Sequence, residues 1–242
     1  GEQYPVLPMN GCMECGHCVA ICPNQALSMV GDGYTADAVL PYDKNMMQID
    51  AKQLSQFMRF RRSVRHYKPE AVPHEVLMQV LEEGRFSPTG SNMQSVRYIV
   101  LEQDKMQYVK LAAEALWQSA LASGQSPTKV IEKIYHHSLN GSDKLFHGAP
   151  AVILILDTER RSNYSNAYIA ASRIELMAQS LGLGTCYIGL FLHGVQSKNR
   201  RIIGLAGRLS GTSSTDYWLS GRSVHAYGAT QTNYGRVEIT IS

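Results

Sequence analysis

The sequence lacks a long apolar run. The longest lies around Ala149 to Leu156, well short of the roughly 18 residues a membrane-crossing helix needs, so nothing in it reads as a membrane span. An excess of one charge is equally scarce. The net charge is +3 and dispersed, too weak a field to argue for nucleic acid. The one dense basic run is Arg61 to Arg65. No secretory signal is visible, which argues against a disulfide framework. No G-x-G-x-x-G fingerprint and no internal repeat are present. His136, His137, His147 and His193 have no ligand spacing and read as structural. No side chain stands out as a nucleophile or general base, so no catalytic residue is assigned.

What is there is an ordinary globular composition, 44% hydrophobic over 242 residues. That length holds one large domain, or a small module with a larger one. The small module announces itself in Gly11 to Pro23, where Cys12, Cys15, Cys18 and Cys22 follow the spacing C-x2-C-x2-C-x3-C and precede Pro23. This is the bacterial ferredoxin run. Two-residue gaps let one tight loop wrap three corners of a [4Fe–4S] cluster. Gly11 and Gly16 let backbone N–H groups approach the sulfurs, and Pro23 turns Cys22 away from the other three. Zinc is the weaker alternative, because it takes two well-separated C-x2-C pairs. In two-cluster ferredoxins the fourth cysteine serves the other cluster. Since the sequence opens at Gly1 with one such motif, the expectation is a trimmed chain in which Cys22 is orphaned from a second cluster. Free thiols in this motif imply a reducing, cytoplasmic setting.

The rest of the chain alternates helices with a few strands, which predicts an α+β or α/β class. Residues 1–35 read as the cluster module and 50–242 as the larger domain, joined by a Gly/Asp-rich connector. Leu54, Phe57 and Met58 have helical spacing, as do Val76, Val80 and Leu81 in the helix from Pro73 to Glu83. Val96 to Leu101 reads as a strand. Asp104 to Leu121 reads as a long helix, and another runs from beyond Pro127 to about His137. Ala149 to Leu156, apolar throughout, reads as a buried strand. Ala167 to Leu181 reads as a helix stopped by Gly182-Leu183-Gly184, and Thr185 to Leu192 as a third strand.

Three pieces carry ligand chemistry. Arg61, Arg62, Ser63 and Arg65 offer guanidinium forks that match phosphates and polarised carbonyls, although a solvated basic turn has the same composition. The loop Ser87 to Gln94, SPTGSNMQ, carries amides able to read the edge of a heteroaromatic ring. Gly182 to Gly189, GLGTCYIG, allows close backbone approach to a ligand. In this order, over roughly residues 52 to 205, the three pieces resemble the FMN-dependent nitroreductase family. With the cysteine motif in front, the chain resembles the ferredoxin–nitroreductase fusions of anaerobic bacteria.

The resemblance implies an α+β sandwich that works as an intertwined homodimer with FMN at the interface. It places Arg61, Ser63 and Arg65 on the ribityl phosphate and ring edge, with Arg62 nearby. Pro88, Thr89, Asn92 and Gln94 would line the flavin from the other subunit, and the backbone from Cys186 through Tyr187 and Ile188 to Gly189 would lie against the ring. The helix from Tyr168 to Leu181 would form the dimer core. Cys186 itself reads as a small buried hydrophobe. The implied activity is an oxidoreductase fed by the cluster, with reduced ferredoxin or NAD(P)H as donor, that serves a small acceptor such as a nitroaromatic or quinone. The alternatives are a non-catalytic electron carrier or redox sensor, and a flavin-bound scaffold inactivated by its tail.

The tail departs from the family. Residues 206–235 are rich in Gly, Ser and Thr and lack hydrophobic periodicity. Read one nucleotide later from Ala206, suitable synonymous codons yield PEDYQVLPQLIIGYP and then a stretch compatible with YTRMARRKP. We hypothesise a one-nucleotide frame slip after Leu205, which would cost a core strand and basic contacts to the FMN phosphate.

Overall fold

A computed structural model describes residues 12–24, 26–27, 43–157, 164–196 and 225–228. Most of the connector and most of the atypical tail, including the expected slip point, lie outside the described residues. The chain divides into two compact units, Gly1–Gln56 with Ser91–Met93, and Phe57–Gly90 with Gln94–Ser242.

The first unit holds two short helices, α1 (His17–Ala20) and α2 (Lys44–Met47). The Asp43 carboxylate accepts the Asn45 N–H at 2.8 Å and so caps α2. Asp50 likewise accepts the Gln53 N–H at 2.8 Å. It opens α3 (Ala51–Phe60), which runs on into the second unit.

The second unit is built on a three-stranded antiparallel sheet ordered β1 (Arg97–Leu101), β2 (Val152–Leu156) and β3 (His225–Gly228). Arg97 pairs with Leu156 and Leu101 with Val152; on the other side Val152 pairs with Gly228 and Ile155 with His225. All five residues of β2 are buried, which explains its unbroken apolar sequence. Its alternate side chains enter two separate cores. Val152, Leu154 and Leu156 join Ile99, Leu101 and residues of α5 (Lys105–Ala122), α6 (Lys129–Leu139) and α8 (Gly189–Gln196). Ile153 and Ile155 join Val100 and residues of α4 (His74–Arg85) and α7 (Tyr164–Ser180). Each such aliphatic side chain, fully buried, contributes about 1.5–3 kcal/mol of transfer free energy.

Helix α4 buries Leu77, Val80, Leu81 and Gly84 on one stripe. A Cβ on Gly84 would sit 2.8 Å from both Ile174 Cδ1 and the Tyr98 hydroxyl, so glycine is what lets α4 meet α7 at this distance. Helix α7 ends where expected. Gly182 adopts φ +79°, its N–H bonds the Gln179 carbonyl at 3.0 Å, and the Leu183 N–H reaches back to the Ala178 carbonyl at 2.8 Å, a Schellman closure.

One expectation is corrected. Thr185 to Leu192 is not a strand: Thr185 makes an isolated parallel bridge with Ser63, and α8 begins at Gly189. Buried Ile188, Phe191 and Val195 follow helical spacing, and that stripe faces the core under α5, overriding the β-rich composition. Strand β3 lies within the stretch that lacks hydrophobic periodicity. Among the described residues no helix is long and apolar enough to cross a membrane.

Candidate functional site

The segment after α3 and the segment after α7 are brought side by side in the second unit. Ser63 bridges Thr185 in parallel, and the Val64 N–H donates to the Thr185 carbonyl at 3.1 Å. Two of the three segments singled out in the sequence, RRSVR and GLGTCYIG, are therefore neighbours. Their juxtaposition follows from the Schellman turn at Gly182, which returns the chain beside the α3 exit.

Side chains reinforce the pairing. Arg61 Nη1 lies 3.3 Å from Glu175 Oε1, and the Thr185 hydroxyl donates to the same oxygen at 3.1 Å. Glu175 and Thr185 are each only 5% exposed. Burial pushes the Glu175 carboxyl above its ordinary range, against the pull of Arg61 and the Thr185 hydroxyl. Arg65 and Ser63 lie within hydrogen-bonding reach of the Cys186 sulfur, which also donates to the Tyr187 carbonyl at 3.4 Å. Burial dominates there and raises the thiol pKa. Cys186 is thus a protonated, packed thiol, in line with its reading as a small hydrophobe.

Arg62, Ser63 and Arg65 are exposed, and Arg61 is half-buried on its carboxylate. Tyr187 is half-buried, Ile188 buried and Gly189 exposed at the start of α8. Solvent-facing guanidiniums, a hydroxyl and the start of a helix together suit an anionic, hydrogen-bonding ligand. The residues fit a flavin phosphate on this donor chemistry.

The loop Ser87 to Gln94 is shaped by left-handed backbone at Ser91, Asn92 and Gln94, with φ of 52°, 52° and 46°, a conformation non-glycine residues rarely hold. Within the second unit Thr89 Oγ1 accepts the Gln94 N–H at 3.0 Å and buried Asn166 accepts the Gly90 N–H at 3.1 Å. Pro88 and Gln94 are exposed and Thr89 half-buried. Asn92 falls in the first unit, where its amide donates to the Met13 carbonyl at 2.9 Å.

In the cysteine loop Cys12, Cys15 and Cys18 are exposed and Cys22 half-buried, all as free thiols. Glu14 and Gly16 take positive φ of 53° and 67°, which curls the chain. The Glu14 N–H reaches the Cys12 sulfur and the Ala26 N–H the Cys22 sulfur, both at 3.4 Å. Among the described residues no three His, Cys, Asp or Glu side chains are gathered to hold a metal ion.

Sequence reasoning missed Glu175 and Asn166. An acidic residue beside the apolar stripe of α7 reads as solvent-facing. The available signal was its place directly after Ile174 and three residues before Ala178, both core positions.

The chain matches the sequence model of the Nitroreductase family over residues 58–213. It is similar to the solved structure of a nitroreductase with bound FMN from Bacteroides fragilis, with 15% identity, a TM-score of 0.58, and 78% of this chain and 94% of that one covered. A nitroreductase with bound FMN from Desulfitobacterium hafniense shares 19% identity at a TM-score of 0.58, covering 81% and 96%. The FMN-dependent nitroreductase of Mycobacterium smegmatis, in complex with NADPH, shares 16% at 0.51, covering 76% and 90%. At these identities the structural likeness is one of fold. No curated protein sequence matches the chain.

Proposed function

The chain belongs to the nitroreductase family, and from that premise we propose an FMN-dependent oxidoreductase that reduces a small electrophilic acceptor, a nitroaromatic or a quinone. The observation that carries this reading is the parallel bridge between Ser63 and Thr185. It aligns the basic segment with the Cys186–Gly189 backbone, with Arg62 and Arg65 both exposed to solvent. Bound FMN supplies the hydride and electron transfer itself. This chain's share is to bind and orient it. Arg61, Arg62, Arg65 and the Ser63 hydroxyl offer charge and donors to the phosphate and ring edge, and Arg61 also bonds Glu175. Tyr187, Ile188 and Gly189 offer backbone to the ring, while Pro88, Thr89, Asn92 and Gln94 belong to the loop proposed to line it.

NAD(P)H is one electron donor to consider, supported by the NADPH complex of the mycobacterial protein. Reduced ferredoxin is the other, supported by the cysteine spacing. The thiols of Cys12, Cys15 and Cys18 are donors of the kind a [4Fe–4S] cluster takes, with Cys22 belonging to a second cluster, and N–H···S bonds such as those to Cys12 and Cys22 tune such clusters. Because the sulfurs are not gathered, no part of the reaction is assigned to a cluster. A homodimer is supported by the exposed apolar residues Tyr168 and Ile169 on α7.

The test is steady-state turnover of a nitroaromatic and of a quinone by the FMN-loaded full chain, with NADPH and separately with reduced ferredoxin. Sustained reduction with either donor supports the reading. Bound flavin with no turnover from either donor would favour the electron-carrier alternative instead.

A further inference from the structure

One peptide unit in the cysteine loop is held at both ends. It joins Met13 to Glu14, inside the first C-x2-C pair. Its N–H, that of Glu14, reaches the Cys12 sulfur at 3.4 Å. Its carbonyl, that of Met13, accepts the Asn92 side-chain amide at 2.9 Å. A peptide is planar and rigid, so its two polar ends turn together. Asn92 stands in left-handed backbone at φ 52°, as do Ser91 at 52° and Gln94 at 46°. Non-glycine residues keep that conformation only where their surroundings hold them to it. The Gln94 N–H is fastened to Thr89 Oγ1 at 3.0 Å, so a turn of the backbone at Asn92 passes along the chain to Gln94. Ser91 to Met93 share a compact unit with the cysteine loop.

Resting on the flavin reading above, we propose that Asn92 is a positioning residue that couples the Cys12 sulfur to the flavin-lining loop through the Met13–Glu14 peptide. Cys12 is exposed, so reagents and ligands reach its sulfur. A group bonded there crowds the Glu14 N–H and turns the peptide, which takes the Met13 carbonyl away from Asn92. The loop from Ser91 to Gln94 then relaxes from its left-handed form, and flavin binding weakens. The coupling runs both ways, because a ligand that favours one arrangement of the loop disfavours the other.

The experiment measures FMN affinity of the full chain before and after alkylation with iodoacetamide, in wild type, Cys12→Ser, Asn92→Asp and Asn92→Gly. Each thiolate displaces iodide and gains one carbamidomethyl group, and Cys186, 1% exposed, stays unmodified by mass. Aspartate keeps the shape of Asn92 but offers no donor; glycine drops the side chain and tolerates the left-handed backbone. In wild type, alkylation is expected to weaken FMN about fivefold, the worth of one hydrogen bond. In all three variants it changes nothing further, because either the sulfur or the amide is gone. The proposal is overturned if wild-type affinity is unmoved by alkylation, or if Cys12→Ser or the Asn92 variants lose affinity on alkylation as wild type does. If wild type binds no FMN, the flavin reading fails, and the coupling is judged by amide hydrogen exchange at Glu14. Alkylation and Asn92→Asp must then each speed that exchange; exchange unmoved by either overturns the coupling as well.

Discussion

Glu175 shows what a single side chain contributes here. Its carboxyl has a folded pKa above the ordinary 4.5, with burial as the largest cause. In the interval above 4.5 and below its folded value, the native state therefore binds more proton than the unfolded chain. The stability it contributes is full below 4.5 and is lost as pH rises through the folded value. Unfolding free energies of wild type and Glu175→Gln, measured in parallel across that interval, should give a difference that shrinks as pH rises. A difference that grows with pH would contradict the assignment. Only its place between the core positions Ile174 and Ala178 hinted at this residue, since burial of one acidic side chain depends on a partner, Arg61, that lies 114 positions away. Arg61, Ser63 and Arg65 stand out as ligand candidates because Arg and Ser donors crowd five positions. What their composition could not tell was that one of the guanidiniums is already engaged.

At the scale of elements, the long helices and β2 were legible because their apolar residues obey one period each. The start of α5 at Lys105, the closure of α7 at Gly182 and the buried run of β2 all follow from local signals. Helix α8 was misread because Thr, Cys, Tyr, Ile and Phe favour strands, while the packing that decides the matter lies in α5. The contact is tight: a Cβ on Gly194 would stand 3.0 Å from the Ala112 carbonyl oxygen and 3.3 Å from its Cα and Cβ. Gly194→Ala should therefore destabilise the protein. Overpacking costs about 1–3 kcal/mol, and the better helix propensity of alanine returns about 1 kcal/mol. Urea unfolding should give a net loss of about 1 kcal/mol, and a gain would mean that α8 does not sit against α5 as described. Strand β3 was not legible for a different reason. Its residues follow no apolar period, and its place is set by backbone pairing with β2.

For the molecule as a whole, the order of motifs carried more than any motif alone. RRSVR, SPTGSNMQ and GLGTCYIG are each compatible with ordinary turns, but their succession resembles one family, and the family match covers residues 58–213. Two of the three pieces prove to be neighbours in space, through a bridge between Ser63 and Thr185 that no local pattern encodes. The four-cysteine run is equally plain in sequence, yet spacing alone does not gather sulfurs. Convergence on a cluster depends on the metal as much as on the chain. The measurement that tests the central claim most directly is the flavin and iron content of the full chain purified without oxygen, read with its visible spectrum. The account predicts flavin absorption bands and about one FMN per chain, since the cofactor carries the chemistry. Absence of flavin, even after incubation with excess FMN, would contradict it.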